Sequence, residues 1–385
     1  MIKVCKCSSH RIERFLTFSM KVAFGVKVLF DPRPKRLKKD IYDFDDEFHR
    51  LRNAIGQPLI LVSGLRRTGK TSLILSVLED CNVPYMYVDL RSTIGSRRDL
   101  YSFISSGVSE LLAWGSRWKS FQETILKFLR VVRGVSISGF NVEFSWGRDR
   151  PLLTELFTIL NDAAYEHNSK IVVVFDEIQN AFGIVGRILQ NAMAYAYDHL
   201  RNLSFIISGS EMGVLYGFLK DPKAPLFGRA YFEVKTRRLR REEAIDFLIK
   251  GFEEYGVEPP KSEIEEVVNM FNGIIGWLTY YGYSKCFGGR SYRDIWNDAI
   301  ELARLELENF LRFRVSRSRY IVILRALAQE VVEWGKLKRF LEDIEGRGVS
   351  DRVLHDILIT LRRHSIIDED NKFMDPLIKE AAKRL

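Results

Sequence analysis

The sequence predicts an α/β fold, in which a parallel sheet is followed by two smaller helical units. Three observations carry this prediction. A glycine-rich loop, residues 64–71, separates a short apolar run from an amphipathic helix. A second apolar run ends in the acid pair Asp176-Glu177, and strand-like and helix-like segments alternate over the first 235 residues.

The loop reads GLRRTGKT and fits the pattern G-x-x-x-x-G-K-[ST] at every fixed position. Leu59 to Ser63 reads as the buried strand before it, and residues 70–81 read as the helix after it. The glycines allow backbone N–H groups to face phosphate oxygens, and the helix N-terminus adds positive potential. Such loops use the lysine on the β- and γ-phosphates and the following hydroxyl on Mg²⁺. The predicted nucleotide-binding residues are Gly64, Leu65, Arg66, Arg67, Thr68, Gly69, Lys70, Thr71 and Ser72. The alternative is a glycine-rich turn without a ligand.

The second element of the site is the segment KIVVVFDEIQN, residues 170–180. Ile171 to Phe175 reads as a buried strand that delivers two carboxylates at its C-terminal end. We expect Asp176 to hold Mg²⁺ together with Thr71, and Glu177 to polarise the attacking water. The alternative is a solvated strand end, because adjacent acids after a strand are common.

Three further side chains are candidates for catalysis. Ser208 and Ser210 follow the apolar run that begins at Leu203, where a hydroxyl could contact the γ-phosphate or the lytic water; Ser210 could equally cap the next helix. Arg229 ends the breaker-rich loop DPKAPLFGR, residues 221–229, and could act as an arginine finger supplied by a second copy. A surface arginine is the alternative for Arg229.

The remaining patterns divide the chain into four parts. Residues 1–27 are expected to form a basic arm, residues 28–238 the ATPase core, residues 239–315 a helical lid domain, and residues 316–385 a winged helix. Within the core, Val83 to Leu90 and Tyr231 to Lys235 read as further strands. An alternating segment around Gly139 predicts a β-hairpin insertion at about residues 134–147.

The winged-helix prediction comes from a change of pattern after Ser316. Three helices are expected, at Tyr320 to Gln329, Trp334 to Glu342 and Ser350 to Arg363, with Ser350 as the cap of the third. Ile366 to Phe373 is expected to form a small β-wing. Such a domain binds nucleic acid or docks on protein, and both readings stay open. The side chains expected to meet phosphates are Arg352, His355, Arg362, Arg363 and Lys372.

Composition excludes some classes of protein. The formal net charge of the 385 residues is +9, and residues 1–40 carry eleven Lys and Arg against three acids, which favours a polyanionic partner. No apolar run reaches the length of a membrane span, so no membrane contact is expected. The four cysteines predict a cytoplasmic chain without disulfides, with Cys5, Cys7 and His10 as a minor metal-site alternative.

Taken together, the motifs GLRRTGKTS (64–72), VVVFDEIQN (172–180), ISGSEMGVLYGFL (207–219) and PLFGRAYFEV (225–234) resemble the archaeal ATPase family, P-loop ATPases related to the AAA+ and STAND branches. FDPRPK (30–35) and YDFDDEF (42–48) resemble its entry segment. The resemblance implies a five-stranded parallel sheet with the Ser208 strand between the phosphate-loop and Asp176 strands. It also implies a helical lid, a C-terminal winged helix, and ATP with Mg²⁺ as ligands.

The chain departs from the family pattern at the lid. Asn272 to Trp277 lacks the proline of the usual Gly-Pro motif, and no clear second-sensor arginine is visible. Nuclease activity is not expected, because the nuclease-like domain of some relatives has no counterpart here. The sequence therefore predicts a slow ATP-hydrolysing switch, in which assembly into a ring would make Arg229 a finger for a neighbouring copy. The alternative is a DNA-binding winged-helix protein in which ATP is structural; small-molecule kinase and GTPase fit less well.

Overall fold

The computed structural model describes residues 29–92, 95–113 and 119–385, so the predicted basic arm, residues 1–27, lies outside the described residues together with Cys5, Cys7 and His10. At its centre is a parallel sheet of five strands in the order β2-β5-β6-β1-β7. The strands are β1 (Leu59–Ser63), β2 (Tyr85–Asp89), β5 (Ile171–Asp176), β6 (Leu203–Gly209) and β7 (Phe232–Lys235). This order confirms that the Ser208 strand separates the phosphate-loop strand from the Asp176 strand.

Helices cover both faces of the sheet, which explains why its inner strands read as continuous apolar runs. Every residue of β1, β5 and β6 is buried. The core helices are α1 (Asp45–Ala54), α2 (Lys70–Cys81), α3 (Arg97–Leu112), α4 (Lys119–Leu129), α5 (Leu153–Glu166), α6 (Gly183–His199) and α7 (Met212–Lys220). Because the strands are parallel, all their carboxyl ends lie at one edge, where loops can carry a ligand site.

An antiparallel hairpin, β3 (Val135–Ser138) and β4 (Asn141–Phe144), forms a separate two-stranded sheet. It attaches to α3 through two serines: Val142 N donates to Ser109 Oγ at 2.9 Å, and Phe144 N donates to Ser105 Oγ at 3.0 Å. The hairpin thus lies against the outside of the core, where helix α3 separates it from the sheet.

Four helices follow the sheet and are called the lid helices: α8 (Arg241–Tyr255), α9 (Lys261–Phe271), α10 (Ile275–Gly288) and α11 (Tyr292–Arg312). Their apolar core receives a side chain from far upstream, Phe30, which is fully buried. Gly251 and Gly282 make room for this ring, since a Cβ at either position would lie within 2.5 Å of it. The segment that precedes the sheet is therefore fixed to the lid helices.

The C-terminal unit contains α12 (Arg317–Ala328), α13 (Trp334–Glu345) and α14 (Asp351–Arg363) around a second apolar core. The last helix, α15 (Pro376–Lys383), connects this unit to the lid helices, because Leu377 and Ala381 are buried in their core and Ala382 in the second one. Two details differ from the sequence prediction. The wing is reduced to one antiparallel bridge between Ile367 and Phe373. Ser350 has extended N-cap geometry, but its side chain accepts no capping hydrogen bond. None of the described helices combines the length and apolar character that a membrane crossing requires.

Candidate nucleotide site

The phosphate loop joins β1 to the N-terminus of α2. Three of its residues have positive φ angles: Gly64 at 150°, Arg67 at 62° and Gly69 at 85°. A side chain at Gly64 is excluded by its surroundings, because a Cβ there would lie 2.1 Å from Thr236 Oγ1. Thr236 also shares a 2.7 Å hydrogen bond with Thr68 Oγ1, so the end of β7 supports the curl of the loop.

Lys70 is buried at the start of α2 and donates to carbonyls of its own loop. Its Nζ lies 2.8 Å from the Leu65 oxygen and 3.1 Å from the Gly64 oxygen. Burial lowers the pKa of the Lys70 ammonium, while the charges of Glu177 and Asp176 act in the opposite direction. The buried cation is therefore only partly compensated, and an incoming polyphosphate would compensate it further.

Asp176, at the end of β5, accepts hydrogen bonds from four groups. Thr71 Oγ1 donates to its Oδ2 at 2.8 Å, and Tyr87 OH donates to the same oxygen at 2.5 Å. Its Oδ1 accepts from the Ser208 hydroxyl and, at 3.1 Å, from the Glu177 backbone N–H. Burial raises the pKa of Tyr87, and the Asp176 charge raises it further, so the phenol stays a donor. The loop and the acidic strand end thus meet at one carboxylate.

The neighbouring Glu177 has a left-handed backbone, with φ at 56°. This conformation costs a non-glycine residue about 1 kcal/mol or more. Its Oε2 accepts from Ser210 Oγ at 2.9 Å and from the Gln179 amide. Ser210 does not cap α7, whose N-cap position is Glu211. The strained turn thus brings two carboxylates to one edge of the sheet, each fixed by hydroxyl donors.

The donor set fits Mg²⁺. Hydroxyl and carboxylate oxygens are the ligands that this ion takes from proteins, and the Thr71 and Asp176 oxygens lie 2.8 Å apart. Within residues 29–92, 95–113 and 119–385, no cluster of three or more His, Cys, Asp or Glu side chains offers a complete protein cage. A site that supplies two oxygens is typical of a magnesium ion that keeps its waters and binds phosphates.

The lid helices contact the phosphate loop directly. Gly276 N donates to the Arg67 carbonyl at 2.9 Å, and a Cβ on Gly276 would lie 2.6 Å from Arg67 Cβ. The Arg67 guanidinium lies 3.8 Å from the centroid of the Trp277 ring and pairs with Glu306 on α11. Arg66 reaches the same Glu306 at 3.6 Å. Two predicted nucleotide-binding residues are thus also lid contacts.

On the other side, Ser72 Oγ accepts from Lys35 N at 3.0 Å, which fixes the entry segment to the start of α2. A cleft of about 1250 Å³ opens between this segment and β2, with Thr71, Leu75 and Tyr87 in its wall. The cleft is large enough for a nucleotide-sized ligand beside the proposed metal position.

Arg229 lies away from these groups in the structure. Its guanidinium is bidentate on Asp198, with Nη2–Oδ2 at 2.6 Å and Nε–Oδ1 at 3.1 Å, and it donates to the Pro225 carbonyl. The hydrogen bonds from Arg229 lower the pKa of Asp198. None of these described partners belongs to the site, so a role for Arg229 would require a second copy.

The basic residues predicted to contact nucleic acid differ in how exposed their side chains are and in whether they already have partners within the protein. Arg352 and His355 have side-chain exposures of 89% and 59%, and Lys372 is exposed. Arg362 donates to Glu369 O and Asn371 Oδ1 within the wing, and the Arg363 backbone packs against Gly213 of the core.

Sequence reasoning missed Tyr87, Gln179 and Thr236. Gln179 stands two residues after Glu177, so its proximity could have been noticed from the sequence. The positions of Tyr87 and Thr236 beside the site depend instead on the order of the strands, because β2 pairs with β5 and β7 pairs with β1.

Comparison with known proteins identifies the family. Residues 45–280 match the model of an ATPase domain found predominantly in Archaea. The chain belongs to this family. The ATPase-domain match covers every phosphate-loop residue, both carboxylates and the start of the lid helices. A Walker-type ATPase of Pyrococcus abyssi has a similar structure, with 31% identity, a TM-score of 0.75, and coverage of 93% of this chain and 100% of that chain.

Two other likenesses concern the fold. The ORC2 protein of Aeropyrum pernix, solved in ADPNP and ADP complexes, has 14% identity and a TM-score of 0.59, covering 92% of this chain and 96% of that chain. Residues 314–373 match the C-terminal winged helix-turn-helix domain of MCM proteins. This ATPase-family chain is therefore a P-loop fold with a C-terminal winged helix. No match was found among proteins of curated function.

Proposed function

We propose that this chain is a Mg²⁺-dependent ATPase of the AAA+/STAND type, in which hydrolysis is coupled to movement of the lid helices and the winged helix. The observation that carries the proposal is the 2.8 Å contact between Thr71 Oγ1 and Asp176 Oδ2. If the loop were only a glycine-rich turn without a ligand, nothing would require the Asp176 carboxylate to lie beside the Thr71 hydroxyl. The pair is the arrangement that a magnesium-bound polyphosphate requires.

Binding is the task of the loop. Lys70 would leave the carbonyls of Gly64 and Leu65 for the β- and γ-phosphates, and the amides at the N-terminus of α2 would face the same oxygens. Thr71 and Asp176 would hold Mg²⁺, which would supply positive charge beside the phosphates. Ser208 and Tyr87 would keep Asp176 in one orientation, since each donates to a different oxygen of its carboxylate.

Hydrolysis is the task of Glu177. Its carboxylate would accept the proton of the attacking water, while Ser210 and Gln179 hold the carboxylate in place. The contacts of the lid helices with the phosphate loop would couple hydrolysis to movement of these helices. Arg67 is held by Gly276, Trp277 and Glu306. A phosphate that displaces the loop would therefore also displace the lid helices. Trp277 Nε1 in turn donates to Asp375 Oδ2 at 3.0 Å, at the cap of α15.

The test is phosphate release from ATP by the purified chain. We expect slow release that requires Mg²⁺ and stops when the metal is chelated. The matched control is the same preparation with Asp176→Asn, which keeps the shape of the side chain and removes its charge. Release that persists equally in this variant, or without metal, would contradict the proposal.

Oligomerisation remains a proposal that depends on Arg229. In an assembly, the guanidinium would exchange Asp198 for the γ-phosphate of a neighbouring copy. Because the pair with Asp198 is partly exposed, its loss costs little, on the order of 1 kcal/mol or less.

A second candidate function is binding of duplex DNA by the winged helix. It is favoured by the winged-helix match over residues 314–373 and by the exposed Arg352, His355 and Lys372. We expect binding to weaken steeply with salt, and Arg352→Ala to lower the slope of log K against log salt by about one. Arg293→Ala, an exposed arginine on the lid helices, is the control and should leave the slope unchanged. No binding at low salt would favour protein docking.

A further inference from the structure

The turn between β6 and α7 contacts two distant parts of the protein. On one side Ser210 Oγ donates to the Glu177 carboxylate at 2.9 Å. On the other side Glu211 Oε2 lies 2.8 Å from His364 Nδ1, and Met212 N donates to Ser365 Oγ at 2.9 Å. Three consecutive residues therefore connect the proposed catalytic carboxylate to the end of α14, the third helix of the winged-helix domain.

The packing at this contact is close enough to transmit a displacement. A Cβ on Gly213 would lie 2.5 Å from Arg363 Cα and 3.1 Å from the Arg363 carbonyl oxygen. The first turn of α7 thus meets the last turn of α14 almost backbone to backbone. No flexible side chain separates them, so a shift of one helix end must be taken up by the other.

The imidazole of His364 is held from both sides. Arg314 Nη2 lies 3.0 Å from its Nε2, and the Phe310 ring packs edge-on with centroids 5.0 Å apart. Glu211 is the acidic group that faces it from the core, and both side chains are largely enclosed, at 21% and 22% exposure. A contact at this depth has a more defined geometry than a contact between two surface side chains.

The β6–α7 turn is also closely packed on the side that faces Glu177. Gln179 donates to both Glu177 and Ser210, the latter at 3.3 Å. A Cβ on Gly209 would lie 2.3 Å from Gln179 Oε1. Ser210 cannot move without changing the hydrogen bonds that orient the Glu177 carboxylate.

We propose that the winged-helix domain positions the catalytic glutamate. His364 and Ser365 hold the β6–α7 turn, the turn holds Ser210, and Ser210 orients Glu177. His364, Ser365 and Glu211 are therefore positioning residues for hydrolysis, and undocking of α14 slows turnover while ATP binding is retained. This inference rests on the proposed ATPase function, because it concerns the residue assigned to activate water.

The experiment is a double-mutant cycle in the full chain with Glu211→Ala, His364→Ala and the double variant. We expect each single variant to lower kcat by roughly tenfold, the scale on which loss of an orienting partner acts. The affinity for a non-hydrolysable ATP analogue should stay at the wild-type value. The double variant should be no slower than the slower single variant, because both remove one contact.

Two further measurements distinguish the loss of a positioning contact from general destabilisation of the fold. Ser365→Ala should speed amide hydrogen exchange at Met212, whose N–H loses its acceptor, and should lower kcat in parallel. Lys336→Ala on α13, which removes an exposed ion pair with Glu333, should change neither. Wild-type turnover in the variants, independent losses that multiply, or an equal loss of analogue affinity would overturn the inference. Absence of turnover in the wild type would instead overturn the proposed function, and the inference with it.

Discussion

Replacing Lys70 by methionine is expected to weaken ATP binding by roughly a hundredfold, because charge-assisted contacts to the phosphates, worth about 3 kcal/mol together, are lost. Methionine keeps the apolar stem of the side chain. The variant loses a buried positive charge, and burial lowers the pKa of that ammonium and so disfavours its charged form. We therefore expect the fold to survive. Titration with a fluorescent ATP analogue measures the loss directly.

Lys170→Met is the matched control for this variant. Lys170 also donates its ammonium to a backbone carbonyl, Gly56 O at 2.8 Å, but it precedes β5 at the opposite edge of the sheet. It should bind the analogue like the wild type. Equal affinity of the Lys70 and Lys170 variants would remove Lys70 from the binding site.

The lowered pKa of Lys70 also predicts how the affinity for ATP changes with pH. Phosphate oxygens beside the ammonium raise its pKa, so binding favours the protonated form. Affinity is therefore full below the pKa of Lys70 in the empty protein and falls as the pH rises through that value, which lies below the usual 10.5. The Lys70→Met variant should lack this fall.

Replacing Glu177 by glutamine is expected to lower the rate of phosphate release by roughly a hundred- to ten-thousandfold, the contribution of a positioned general base. Glutamine is isosteric, and its carbonyl oxygen can still accept from Ser210. Analogue binding should therefore be retained, and ATP should stay bound to the variant. Single-turnover phosphate release and analogue titration measure the two properties separately.

Glu166→Gln serves as the control, since Glu166 is an exposed glutamate at the end of α5. Its turnover should equal that of the wild type. If Glu177→Gln also turns over at the wild-type rate, water is activated by another group, and the role of the DEIQ segment must be reassigned.

The sequence was most informative where the chemistry depends on a short run of residues. The loop that ends in Lys70 and Thr71 and the strand that ends in Asp176 were both located, since glycines, an ammonium and a buried strand end have few other uses together. The approach of Thr71 to Asp176 also follows, because the carboxyl ends of parallel strands share one edge.

Contacts between distant segments were not predictable in the same way. Tyr87 reads only as part of an apolar strand, and its hydroxyl reaches Asp176 because β2 lies beside β5 with Asp89 opposite Asp176. The stacking of Arg67 on Trp277 depends on how the lid helices lie over the loop, which local periodicity does not encode. The contact of Glu211 with His364 likewise depends on domain placement.

The central claim is that the phosphate loop and the acidic strand end together hold a magnesium-bound polyphosphate. A crystal structure with a non-hydrolysable ATP analogue and Mg²⁺ tests it most directly. We expect Lys70 Nζ to have left the carbonyls of Gly64 and Leu65 for the phosphates, with the metal beside Thr71 and Asp176. An analogue seated elsewhere, with Lys70 still bonded to its own loop, would contradict the account.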